Sequence, residues 1–155
     1  MTNWATSNTF PRNTVLVKVH DPVRNEGIAA ATIKPGYLIA LTGNTPGMPS
    51  GYNVTPHATA GAATPVRIAV EDVMQGKSVG DSYASGARVQ YIRPEQGDEL
   101  LVPIAASQTL VVGDKLTSNG DGTFKKASGS DAILLECKEA VTTGSDVLWR
   151  VAEVC

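Results

Sequence analysis

Residues Glu71 to Ser78 read EDVMQGKS and end in Gly-Lys-Ser, the tail of a phosphate-binding loop. The full motif is G-x-x-x-x-G-K-[ST]. With Gly76 as the second glycine, the first falls at position 71, which is Glu71, and Asp72 follows. Two carboxylates would then sit in a loop whose amides must face anionic phosphates, and Coulomb repulsion opposes that. A strand precedes the segment, but no helix follows it: VGDSYASG contains two glycines. The stretch therefore reads as a strand end and a glycine turn.

The other constellations fail in similar ways. Ser118-Asn119-Gly120-Asp121-Gly122-Thr123 has the acids and glycines of a calcium loop. An EF-hand needs glycine at its sixth position and Glu at its twelfth. Counted from Asp114 the sixth residue is Asn119, and counted from Asn119 it is Phe124. Asn-Gly and Asp-Gly are instead preferred in tight hairpin turns. His20 and His57 are the only histidines and belong to no metal-ligand spacing. No G-x-S-x-G is present; Ser85-Gly86 lies in ASGA. Glu71/Asp72 and Asp98/Glu99 are adjacent pairs, so on a strand they point to opposite faces and form no acid/base dyad. Each pair reads as a solvated strand end. Cys137, in ILLEC, reads as a small buried apolar residue, and Cys155 as a free thiol. No catalytic, metal or cofactor site is expected.

The 155 residues suit one domain. Charged residues make up 18%, below the roughly 25% of an average soluble chain, which fits a surface partly covered by partners. Net charge is −2 and the 13 Lys and Arg are scattered, so a basic nucleic-acid face is not expected. No apolar run approaches the length of a membrane-spanning helix, and no secretory signal is read at the N-terminus.

Short apolar runs separated by Gly, Pro, Thr and Ser predict an all-β fold. The expectation is a single small β-barrel or β-sandwich-like domain over 14–155, with long Gly/Pro/Thr-rich loops and an extended N-terminal arm over 1–13. Strands are predicted at Thr14–His20, Tyr37–Leu41, near Tyr52–His57, at Val66–Val70, Arg88–Ile92 and Leu100–Ile104. Others are predicted within Leu110–Leu116 and at Phe124–Ala127, Ile133–Cys137 and Val147–Val154. Residues 21–27 (DPVRNEG) read as a turn, and a short helical turn fits GDSYASGA. Pro103 lacks a donor, so its strand should lie at an edge or carry a bulge. IKPGYLIAL, RPEQGDELLV and VVGDKLTS each place a glycine turn before an apolar strand. In the arm, Trp4 and Phe10 are isolated aromatics, natural anchors for a partner's pocket, with Pro11 and Arg12 beside them. Fully extended, its 13 residues would span roughly 45 Å, enough to reach a neighbouring subunit.

Residues 57–127 carry an ordered series of segments. These are His-Ala-Thr-Ala-Gly, a Val-Glu-Asp strand end, Gln-Gly-Lys, an Asp-x-Tyr-Ala-x-Gly turn and an Arg-Pro-x-x-Gly-Asp-Glu strand start. Gly-Asp-x-Leu-x-Ser-x-Gly-Asp-Gly-Thr follows. In that order they resemble the capsid decoration, or cement, proteins of tailed bacteriophages. Residues 28–41 and 131–154 are similar more loosely. Ala87 stands where that family would place an acid, PEQG replaces a shorter PG, and residues 1–27 carry no family motif.

The resemblance implies a small β-rich protein, made in the host cytoplasm, that sits on the outer capsid surface of the virion. It implies a homotrimer that clamps neighbouring major capsid protein subunits, with no cofactor and no enzymatic activity. Partners would be the major capsid protein and the chain itself, with neither nucleic acid nor membrane. The alternative is a virion or tail β-domain that binds host-surface carbohydrate through Trp4, Tyr52, Tyr83, Tyr91 and Trp149. Of these, Trp149 lies in a strand that favours core packing.

Overall fold

The computed structural model describes residues 9–44 and 51–155, so Trp4 lies outside the described residues. The chain is all-β, as the sequence predicts. Its strands are β1 (Leu16–Lys18), β2 (Val23–Ala29), β3 (Ile39–Asn44), β4 (Tyr52–Pro56), β5 (Ile68–Ala69), β6 (Arg88–Arg93) and β7 (Glu99–Ile104). Then come β8 (Thr109–Leu110), β9 (Lys115–Ser118), β10 (Phe124–Lys126), β11 (Leu135–Cys137), β12 (Val141–Thr142) and β13 (Leu148–Val154).

One sheet runs β1-β7-β10-β9-β11-β13, and β13 also pairs with β7. The ring β7-β10-β9-β11-β13 is thus a closed five-stranded barrel, with β1 added outside it on β7. Closure removes the barrel's edges. The second sheet runs β3-β4-β2-β6-β5 and curls back on itself through a bridge from Leu38 to Ile68. β8 and β12 form a separate two-stranded ribbon.

Where the two sheets meet, neighbouring residues enter different cores. Leu38, Ile68 and Ile92 join the barrel residues in one hydrophobic cluster. Their neighbours Ile39, Ala69 and Tyr91 join a second cluster with Ile33, Val54, Tyr83 and Val89. Successive side chains of a strand point to opposite faces, so these segments are walls with an apolar core on each side. That explains the unbroken apolar runs LIAL and IAV, where a half-exposed strand would alternate.

Four turns share one construction. In Val111–Asp114, Asp114 N–H donates to Val111 O (3.1 Å), and Val111 N–H donates back to Asp114 Oδ2 (2.9 Å). Glu95–Asp98, Ser78–Asp81 and Ser128–Asp131 repeat this reciprocal pair. In three of the four the aspartate follows a glycine: Gly113-Asp114, Gly97-Asp98 and Gly80-Asp81.

Three expectations need correction. Residues 21–27 are not all turn, because β2 begins at Val23. Its first four residues are exposed and polar-rich, so it forms through backbone pairing with β6 and lacks an apolar signal. The helical turn is at Val73–Gln75, ahead of GDSYASGA, and ends on left-handed Gly76. Tyr83 instead bridges to Ile33. Pro103 is neither at an edge nor in a bulge: β7 pairs with β13 along its length. On β7's other side, Leu101 N–H donates to Val15 O and Ala105 N–H to Phe124 O. Pro103 falls between them, where β1 has ended and β10 has not begun.

The Lys34–Tyr37 turn docks at that interruption. Trp149, paired with Pro103 and 2% exposed, donates its indole N–H to Pro35 O (2.9 Å). A Cβ on Gly36 would lie 2.8 Å from Trp149 Nε1 and 2.9 Å from Leu101 O, and Gly36 has φ +91°. Gly97 has the same φ but open space around it. Gly97→Ala should therefore cost only the left-handed penalty, about 1–2 kcal/mol. Gly36→Ala should cost about 1–3 kcal/mol more, for overpacking against backbone. Paired denaturant melts check this, and equal losses would mean the close approach at Gly36 carries no energy.

Candidate functional site

The Gly-Lys-Ser segment has no amide left for a phosphate. Gly76 N–H donates to Val73 O (3.1 Å), Lys77 N–H to Asp72 O (3.0 Å) and Ser78 N–H to Asp81 Oδ2 (2.8 Å). An open groove of about 200 Å³ lies beside it, and Lys77 and Arg88 share its lining with Asp72 and Asp81. Arg88 also pairs with Glu26 (3.1 Å). Charge in the groove is balanced, which does not favour an anionic ligand.

The Asp/Gly segment is the β9–β10 hairpin turn. Asp121 Oδ1 accepts from Thr123 N–H (3.0 Å) and Thr123 Oγ1 (2.5 Å). Burial opposes ionisation of Asp121, but these bonds outweigh it and hold its pKa below the usual carboxylate range. Its glycines are packing sites as well: a Cβ on Gly122 would lie 2.5 Å from the Tyr37 ring, and one on Gly120 would lie 3.1 Å from Ala60 N. The turn thus seats the barrel against the second sheet. His57 spans the same seam, with Nδ1 2.8 Å from buried Ser118 Oγ. Burial lowers its pKa. Among the described residues no group of three or more His, Cys, Asp or Glu could hold a metal ion.

The first members of the adjacent carboxylate pairs are not solvated. Glu71 and Asp98 are both buried. Each accepts backbone N–H groups of the N-terminal segment, a long-range partnership that a local reading cannot see. Val15 N–H donates to Glu71 Oε2 (2.9 Å), and His20 N–H to Asp98 Oδ1 (3.0 Å). The carboxylates thus hold the two ends of the segment that contains β1. Asp98 also accepts from Glu95 N–H (2.9 Å), and His20 Nδ1 lies 2.8 Å from its Oδ1. Burial works against the Asp98 charge, yet the bonds from His20 and Glu95 prevail and lower its pKa. Its hydrogen bond and charge raise that of exposed His20.

Residues 9–15 form a strap along the body. Thr9 O accepts Trp149 N–H (2.9 Å), and Asn13 O accepts Val79 N–H (3.0 Å). The Phe10 ring is half-buried, with its centroid 4.7 Å from that of Trp149. Pro11 and Arg12 are exposed, and Arg12 lies 3.9 Å from Glu139. Of the proposed partner-binding residues, the structure brings Phe10 onto the chain's own core and leaves Pro11 and Arg12 outward. Among the proposed sugar-stacking aromatics, Tyr83, Tyr91 and Trp149 are buried and Tyr52 is 40% exposed. Sequence reading missed the exposed apolar turn tips Val73-Met74 and Val111-Val112, with Met74 at 86%. The signal was available, since apolar pairs at turn corners have no core to enter.

No family model and no curated protein matches the chain. Among solved structures, it is similar to the head fiber gp8.5 N base of bacteriophage phi29, with a TM-score of 0.54 and 15% identity. The alignment covers 86% of this chain and 98% of that one. What the two chains share is a fold.

Folding lowers the Asp98 pKa from 3.8, so its stabilisation is complete above pH 3.8 and disappears as pH falls through the lower folded value. Asp98→Asn should cost about 1–3 kcal/mol at neutral pH. That deficit should narrow in acid, as the wild-type carboxyl also becomes neutral. The raised His20 pKa works oppositely: its contribution is present below pH 6.5 and is lost as pH rises through the folded value. Stability curves of wild type, Asp98→Asn and His20→Gln against pH would show both slopes. A deficit for Asp98→Asn that stays constant into acid would remove the charge from this account.

Proposed function

We propose that this chain is a capsid decoration protein: a homotrimer on the outer surface of a phage head that binds neighbouring major capsid protein subunits and stabilises their contacts. It acts without a cofactor and is not an enzyme, and its partners are protein surfaces, with no nucleic acid or membrane. The observation that carries this reading is the fold shared with a phage head fiber base over nearly all of that chain. The ordered motifs of residues 57–127 agree with it. So do the exposed apolar tips Val73-Met74 and Val111-Val112, set on rigid turns where a partner surface can reach them. A trimer that engages three sites together gains avidity from weak single contacts.

The purified protein should run as a trimer by light scattering and should decorate expanded capsids that lack it, leaving compact proheads bare in cryo-electron micrographs. A monomer that leaves expanded capsids undecorated sinks the proposal. The carbohydrate reading draws less support, because three of its stacking faces are buried; a glycan array with hits would revive it.

The arm can be tested in two pieces. If the arm binds the capsid, deletion of residues 1–8 should weaken decoration. Deletion of 1–13 removes the Phe10–Trp149 contact and should cost about 1–3 kcal/mol of stability as well. Unchanged decoration after the shorter deletion would take residues 1–8 out of the interface.

A further inference from the structure

The two carboxylates that hold the N-terminal segment differ in one respect. Asp98 accepts three hydrogen bonds: two from backbone amides and one from the His20 ring. Among the described residues, Glu71 accepts from one partner beyond its own amide, the Val15 N–H. Val15 is fully buried and is the last residue before β1. A register irregularity between Leu16 and Lys18 follows, a natural hinge.

We propose that Glu71 is the latch of a pH-sensitive strap: residues 9–15 stay docked while its carboxyl is protonated and peel away when it ionises, with β1 left in place. A buried carboxylate with one amide donor is under-solvated, and water reaches it most directly if the strap lifts. The neighbouring charges do not cancel this. Arg24 of β2 favours the ion, but less than burial opposes it, and the nearby Tyr83 hydroxyl is committed to Val70 O. Burial is the largest influence on Glu71 and raises its pKa above the usual 4.5, ahead of the opposing Val15 bond. The closed strap then holds the proton more tightly than the open one, so rising pH favours opening. Lifting would take Phe10 off Trp149 and uncover an apolar spot on the barrel. The latch stands whether or not the partner is a capsid.

Acrylamide quenching of Trp149 tests this on a Trp4→Phe background, where it is the sole tryptophan. From about pH 4 to about pH 9 the quenching constant should rise by about twofold or more, with one midpoint above 4.5. Glu71→Gln on the same background should keep the low, acid-like value throughout. No rise in the parent overturns the latch. A rise that persists in Glu71→Gln does the same, assigning the change to His20, His57 or another group. If Glu71→Gln fails to fold, the Val15 amide decides by NMR: it should shift and lose exchange protection through the same transition. Protection retained on both sides overturns the proposal.

Discussion

Three short stretches of backbone must serve two hydrophobic cores at once, and the rest of the architecture follows from that. At Leu38-Ile39, Ile68-Ala69 and Tyr91-Ile92, consecutive residues point into opposite clusters. A strand apolar on both faces has no solvated side, so something must cover each. The closed barrel covers one and the curled second sheet the other. The glycine turns at Gly36 and Gly122 are then forced, because they lie where the sheets approach too closely for a Cβ. Neither half is a complete unit: each borrows a wall from the other.

The N-terminal strap follows the same logic in polar terms. It bonds Trp149 of β13, then Val79 and Glu71 in the loop that follows β5, then Leu101 of β7, and beyond β1 His20 reaches Asp98 in the turn before β7. Backbone donors along such a path must find acceptors, and a buried carboxylate satisfies one without a full strand ladder. On the barrel's outer face the charged residues do ordinary work: Lys115 with Glu136, Lys138 with Glu153 and Lys18 with Glu99 pair across adjacent strands. Such exposed pairs contribute little each and keep the wall soluble.

Sequence alone made the strands and turns legible wherever their cause was local. Val15, with alternate valines after it, marked the segment of β1. Gly-Asp marked turns that the structure closes by reciprocal hydrogen bonds, and Tyr52–Pro56 emerged inside a long loop-like stretch. Features with distant causes stayed hidden. β2 is held by pairing, so Arg24, Asn25 and Glu26 look like turn residues. Pro103 sits in a central strand because two other strands leave a gap there, a fact about topology. Glu71 and Asp98 looked solvated because their donors lie 56 and 78 residues away. At the candidate site, the failure of the phosphate motif was readable from Glu71 and Asp72, but the capture of its three amides was not. Phe10 was recognised as an anchor; that its own Trp149 is one of its contacts needed the fold.

The place of β13 in the chain sets a timetable for the molecule's birth. This strand closes the barrel on β7 and carries the Trp149 that pins the Pro35–Gly36 turn, a contact 114 residues long in sequence. During synthesis the barrel core cannot be sealed until residues 148–154 have left the ribosome, so the barrel stays open while its apolar walls wait. Long-range closure of this kind makes folding slow. A cell producing many copies would then hold a pool of unsealed chains, and that pool, more than the finished barrel, is where chaperones and proteases would act.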